Sequence, residues 1–220
     1  MKRFFILLSF AALFAACGGP EGEAVASTDA VDEAAGKTEL VAAAQYNVDP
    51  AASSINWEGT KVAYGHVGTV PVTNGQLMVA EGELKGGQFS IDLREIKNTD
   101  IEDAEKSAKL VGHLHSEDFF DVANHPMAEF TITQIQAAAE GEEYTHDITG
   151  NLTLRGESRS ITIPATVSME GGQLKANTPK FTIDRTEWGV TYKNSGIEGI
   201  VKDEIINDNI GLEIMLVANK

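Results

Sequence analysis

The sequence predicts an all-β fold: an antiparallel barrel of about eight strands with one helical cover segment. Three observations carry that prediction. From Tyr46 onward, apolar side chains recur on one parity against Ser, Thr, Asn, Asp or Glu on the other. A period of two marks strands that bury one face. Glycine-bearing turn signals separate these runs at hairpin spacing. The one long departure, Asp100 to Ala123, reads as helix.

Before the first strand the chain has a different texture. Lys2 and Arg3 precede an apolar stretch, Phe4 to Phe14, and the small residues Ala15 and Ala16 lead to Cys17, the sole cysteine. A positive start, a short apolar core and small residues are the parts of an export signal. With the Cys directly after them they resemble a bacterial lipoprotein signal, in which that Cys becomes the lipidated first residue. Phe14 stands where such signals usually have Leu. Residues 1–17 are therefore expected to be a signal ending at the lipidation-type Cys17. The expected location is the bacterial cell envelope, periplasmic or surface-exposed, with a soluble periplasmic or secreted protein as the alternative. Residues 18–44, rich in Gly, Ala, Glu, Asp, Ser and Thr, read as a flexible acidic tether. Residues 45–220 form the barrel domain.

A lipidated Cys17 leaves no thiol for a disulfide, a nucleophile or a metal. The net charge of −16 repels phosphate backbones and excludes nucleic acid as a natural partner. Membrane attachment is then expected through acyl chains, not through a basic patch.

Each strand follows from its parity. Ile55 and Trp57 alternate with Asn56 and Glu58, and shorter strands are expected at His66–Val72 and Leu77–Val79, with a turn at Asn74-Gly75. After a second turn signal at Gly86-Gly87 come Phe89, Ile91 and Leu93. Ala128, Phe130 and Ile132 form the next inward row, followed by Tyr144, His146, Ile148, Leu152 and Leu154. Beyond Arg155-Gly156 lie Ile161, Ile163, Ala165, Val167 and Met169, and beyond Gly171-Gly172 lie Phe181 with Ile183. Ile210, Leu212, Ile214 and Leu216 close the series. Between two of these groups Asp103 can cap a helix whose face is Ala104, Ala108 and Val111, with Leu110 and Leu114 alongside. Such an insertion in an all-β chain can close one end of a barrel.

The residues that invite chemistry do not converge. His113 and His115 point to different helix faces, and His125 lies ten positions on. Zinc needs three or four ligands, so no metal site is expected. His113 is expected to hold the cover down, with His115 and His125 more exposed and His146 a core histidine. Gly156 to Ser160 lacks the second Gly of a nucleophile elbow, and no phosphate loop, dinucleotide fingerprint or His-Glu-x-x-His motif occurs. No catalytic residues are expected, and the chain does not read as an enzyme. Arg185 falls at an inward parity and needs a buried partner.

Five stretches in order carry a family likeness: YNVDP at Tyr46–Pro50, His66-Val67-Gly68, His113-Leu114 with Ser116, Asp118-Phe119-Phe120-Asp121, Pro126 and Phe130, GNLTLRG at Gly150–Gly156, and FTIDRTEWGV at Phe181–Val190. Over residues 46 to 218 the chain resembles the YceI-like family. The resemblance implies an extended, lipocalin-like barrel whose apolar lumen holds a polyisoprenoid chain or an isoprenoid quinone. Its expected ligand-binding residues are Trp57, His66, Phe89, Ile91, Leu114, Phe119, Phe120, Phe130, Ile132, Phe181 and Ile183. It implies no cofactor beyond such a bound lipid. A small barrel can equally fill its interior with side chains. The alternative is then a structural or stress-protective surface module without a small ligand. A homodimer through edge strands stays open.

Overall fold

The computed structural model describes residues 19–31 and 43–220. The signal, Cys17 and residues 32–42 lie outside the described residues. The elements run β1 (Glu23–Val25), β2 (Ser27–Asp29), β3 (Ala44–Val48), β4 (Ser54–Lys61), β5 (Gly65–Ala80), β6 (Glu83–Asp92) and β7 (Lys97–Asn98). They continue with α1 (Ala104–His115), β8 (Met127–Ala137), β9 (His146–Leu154), β10 (Glu157–Glu170), β11 (Gln173–Asn177), β12 (Phe181–Asp184) and β13 (Ile206–Asn219).

Strands β4, β5, β6, β8, β9, β10, β11 and β13 hydrogen-bond in a closed ring, antiparallel at every step. Closure satisfies the backbone donors and acceptors that an open sheet leaves on its edges. Three hairpins turn on two consecutive residues of positive φ, namely Glu81-Gly82, Arg155-Gly156 and Gly171-Gly172. That backbone twist matches the twist of paired strands. The inward rows predicted from parity are buried, among them Ile55, Phe89, Ile91, Phe130, Ile148, Leu152, Ile163 and Phe181.

Two expected turns are not turns. Asn74-Gly75 lies inside the 16-residue strand β5. A Cβ on Gly75 would come within 2.7 Å of Phe89 Cβ, so this glycine permits close approach of strands and not reversal. Gly86-Gly87 likewise lies within β6, where the pairing register shifts and Gly87 adopts φ 140. His146 also differs from expectation. It opens β9 at the rim, half-buried, with its ring bonded to Thr145 Oγ1 at 2.7 Å.

The acidic tether needs a larger correction over residues 19–31. β1 pairs in parallel with β12, and β2 pairs antiparallel with β10. Strand β11 joins β10 to β13 only along Thr166–Glu170 of β10, so β10 and β12 are left apart further up. The segment 23–29 fills that seam. Val31 then exchanges two hydrogen bonds with the Asn151 side chain, at 2.9 and 2.7 Å. Composition pointed to a solvated chain, but this short stretch supplies backbone partners to two exposed strand edges, and it needs little apolar content to do so.

Arg185 braces the same end. Only 2% exposed, it donates from Nη1 to Val190 O at 2.5 Å, from Nε to Asn207 O at 3.1 Å and from Nη2 to Ile206 O at 3.1 Å. Burial pushes its guanidinium below the ordinary value, and the carboxylates of Asp208 and Asp184 partly offset this. The partner that its inward parity demanded is thus a set of backbone carbonyls. Arg185→Leu leaves these carbonyls buried and unpaired, and should lower stability by about 3–5 kcal/mol. The denaturant midpoint is the measurement. Arg185→Lys should recover only part of the loss, because one ammonium cannot reproduce the planar fork.

Candidate functional site

Inside the ring lies a cavity of about 150 Å³ with an almost wholly hydrocarbon wall. An enclosed apolar void of this size can stay dry and hold a molecule about the size of benzene. Nine of the residues predicted from sequence line it: Trp57, Phe89, Ile91, Leu114, Phe119, Phe120, Phe130, Phe181 and Ile183. Ile132 instead lines a second, deeper void of about 30 Å³, together with Leu77, Leu84, Ile148 and Leu216. Val190 and Ile206 also line the main cavity. They flank an irregular loop, where no periodicity could have marked them. Ile210, Leu212 and Ile214 line it as well and were legible as an inward row.

Phe89 and Phe130 border both voids. They face each other across β6 and β8 with ring centroids 5.5 Å apart. The Phe130 ring occupies space that Gly150 leaves open, since a Cβ there would lie 2.4 Å from Phe130 Cζ. The pair forms a partition across the barrel interior.

The cover closes the cavity from one end. Asp103 caps α1 by accepting from the Lys106 N–H at 3.0 Å, and Leu114, at the other end of the helix, is buried against the wall. The chain then turns tightly: Phe119 N–H donates to Ser116 O at 3.0 Å and Phe120 N–H to Leu114 O at 3.1 Å. These turns aim both phenylalanines at the cavity. Arg155 pins the turn from the barrel side, donating to Glu117 O and Gly189 O at 2.8 Å each.

Two of the histidines, His113 and His66, bond to the cover segment. His113 stands edge-on to Phe119 and Tyr192, with centroids at 4.9 and 4.8 Å, and its Nε2 lies 3.1 Å from Asp118 Oδ2. It thereby ties the cover to the loop before β13. His66, expected in the cavity, is not part of its wall. Its Nδ1 lies 2.9 Å from Asp100 Oδ2, and Asp100 also accepts from Val67 N–H at 3.0 Å and from Asn98 Nδ2. The cause is local: this carboxylate at the start of the cover gathers three donors and draws the ring outward. Burial would raise the Asp100 pKa, but the bonds from His66, Val67 and Asn98 outweigh it and hold the carboxyl below its ordinary value. His115, expected to be exposed, is half-buried, with Nε2 inside and unpartnered. Among the described residues, no group of three His, Cys, Asp or Glu could hold a metal.

One polar atom associated with the wall is unengaged. Trp57 Nε1 is buried without a hydrogen-bond partner among the described residues. A buried donor left so costs about 1–3 kcal/mol, which an acceptor on a bound molecule would recover. Arg185 also borders the cavity, with its donors taken up by carbonyls. The site can therefore take up hydrocarbon, and one of its wall residues, Trp57, carries an unengaged N–H.

Comparison with known proteins agrees with this geometry. Residues 46–218 match the family model of the YceI-like domain. A UPF0312 protein of Pseudomonas putida strain W619 is 29% identical over 132 residues, covering 59% of this chain and 65% of that protein. A UPF0312 protein of Pseudomonas savastanoi pv. phaseolicola is 37% identical over 92 residues, covering 39% and 46%. The chain thus spans less than two thirds of the length of these curated relatives. The crystal structure of BcnA from Burkholderia cenocepacia superposes with a TM-score of 0.61 at 22% identity, over 78% of this chain and 99% of that one. A polyisoprenoid binding domain from Saccharophagus degradans, implicated in plant cell wall breakdown, superposes at 0.55 and 17% identity, over 79% and 97%. These two likenesses show a shared fold. With the family model covering the whole barrel and its cover, the chain belongs to the YceI-like domain family.

Proposed function

We propose that the protein binds an isoprenoid lipid or isoprenoid quinone in the barrel and keeps its chain from water for storage, shielding or transfer. The observation that carries this reading is the hydrocarbon-walled cavity under a dedicated cover. Binding strength would come from apolar burial, about 0.8 kcal/mol per buried CH₂. The polyisoprenoid binding domain of Saccharophagus degradans, built on the same fold, supports the ligand class. Cys17 would carry the acyl anchor that keeps the protein in the cell envelope.

A second reading is a barrel filled by side chains that serves the surface structurally. The modest volume favours it, since about 150 Å³ holds little more than one isoprene unit. Solvent extraction of purified protein with mass spectrometry separates the two. The lipid reading expects a recovered isoprenoid and a rise in melting temperature on adding one. No extractable lipid and no thermal shift would establish the second reading instead.

On the lipid reading, a longer chain must pass the Phe89–Phe130 partition. Phe130→Leu, which thins it, should shift the recovered isoprenoids to higher mass. Phe130→Ala should do so more strongly, at about 3–5 kcal/mol of stability. The head group is tested at Trp57. Trp57→Phe should weaken binding of a quinone about tenfold more than binding of a plain polyprenyl hydrocarbon, as read by titration calorimetry.

A further inference from the structure

Seven large apolar side chains stand exposed among the described residues, and five of them gather at one end of the barrel: Val62, Tyr64, Val67, Ile197 and Val201. The turn between β4 and β5 carries the first two, and the loop before β13 carries the last two. The turn and the loop adjoin. Lys61 is the strand partner of Ile206, Lys61 N–H bonds Tyr64 O at 2.7 Å, and Ile206 N–H bonds Lys193 O at 2.9 Å. The cavity wall reaches the same end at Gly59, Ile206 and Phe120.

The N-terminal segment arrives there too. A Cβ on Gly19 would lie 3.1 Å from Asn207 Nδ2, and one on Gly211 would lie 3.1 Å from Pro20 Cβ. Asn207 adjoins Ile206 in sequence. Cys17 precedes Gly19 by two residues, a reach of at most about 7 Å. An anchor at Cys17 therefore does not hang the barrel on a long leash. It fixes this end at the membrane.

We propose that the protein docks on the bilayer that anchors Cys17 with its cavity end facing the lipid. Val62, Tyr64, Ile197 and Val201 enter the headgroup region, and cargo moves between bilayer and cavity without crossing water. The proposal rests on the reading of Cys17 as acylated. The local charges are mixed: Lys61, Lys193 and Lys202 stand beside Glu198, Asp203 and Glu204. Attraction to anionic headgroups is therefore not what holds this face. Apolar insertion beside the anchor does, with interfacial Tyr and Lys at the rim: the Lys61 ammonium lies 5.6 Å from the centre of the Tyr64 ring.

The test uses the full chain made in a bacterial host, extracted from membranes and placed in vesicles of phosphatidylcholine brominated on its acyl chains. Bromine quenches tryptophan only at close range. Val201→Trp and Tyr64→Trp report on the docking end, and Glu140→Trp, in an exposed loop between β8 and β9, reports on another. Emission is read against the parent chain with its native Trp57 and Trp188. The expected result is loss of the added emission in the first two variants and its retention in Glu140→Trp. Equal quenching at all three sites, or quenching at Glu140→Trp alone, overturns the orientation. So does retention at all three, the result expected if a second copy of the chain covered this face. Intact mass is measured in parallel. An unacylated Cys17 overturns this proposal and the anchor together, while lipid extraction judges the cavity reading separately.

Discussion

The guanidinium of Arg185 is the constraint on which the rest of this barrel leans. It collects three carbonyls from two places: Val190 in the loop after Trp188, and Ile206 and Asn207 at the start of β13. Those places bound the end of the cavity where the cover docks. A hydrocarbon void weakens any core, because the atoms around it lose dispersion partners on one side. Strength must come from elsewhere, and here it comes from a buried charge met by three backbone carbonyls and the nearby Asp208 carboxylate. Trp188 adds to it, wholly buried and donating to Leu152 O at 2.9 Å.

The cover follows from the same economy of contacts. Its helix is short and presents few apolar residues, so its own propensity would not hold it in place. It is fastened at both ends instead. The Asp100 cluster grips its beginning, and His113, Asp118 and Arg155 grip its end. Between these points lie Leu114, Phe119 and Phe120, whose apolar surface faces the void. Polar fastenings at the rim surround an apolar underside.

Much of this was legible in the sequence because parity and burial are the same fact in a barrel. Phe89, Ile91, Phe130, Phe181 and Ile183 could be placed on the inward face from alternation, and the family resemblance implied that this face lines a cavity. The helix could be placed from Asp103 and its apolar face. What alternation cannot show is where a strand continues through a glycine, so Asn74-Gly75 and Gly86-Gly87 were read as turns. His66 shows a second limit: its parity said nothing of a carboxylate 34 residues away that turns its ring outward. The pairing of residues 23–29 was illegible for a third reason. A segment that pairs mainly through its backbone, with Val25 as its apolar side chain against the core, carries almost no apolar signature.

That seam strand also bears on the order in which the barrel comes together. Asp29 meets Arg159, 130 residues along the chain, and Glu21 meets Lys180, 159 residues along. Pairings of such separation carry a high closure entropy and are made late in a folding sequence, after hairpins such as β9–β10. The first described strand of the chain is thus among the last to find its place. Until it does, the edges of β10 and β12 that it covers leave their backbone donors and acceptors to water, so closing this seam completes the hydrogen bonding of the wall.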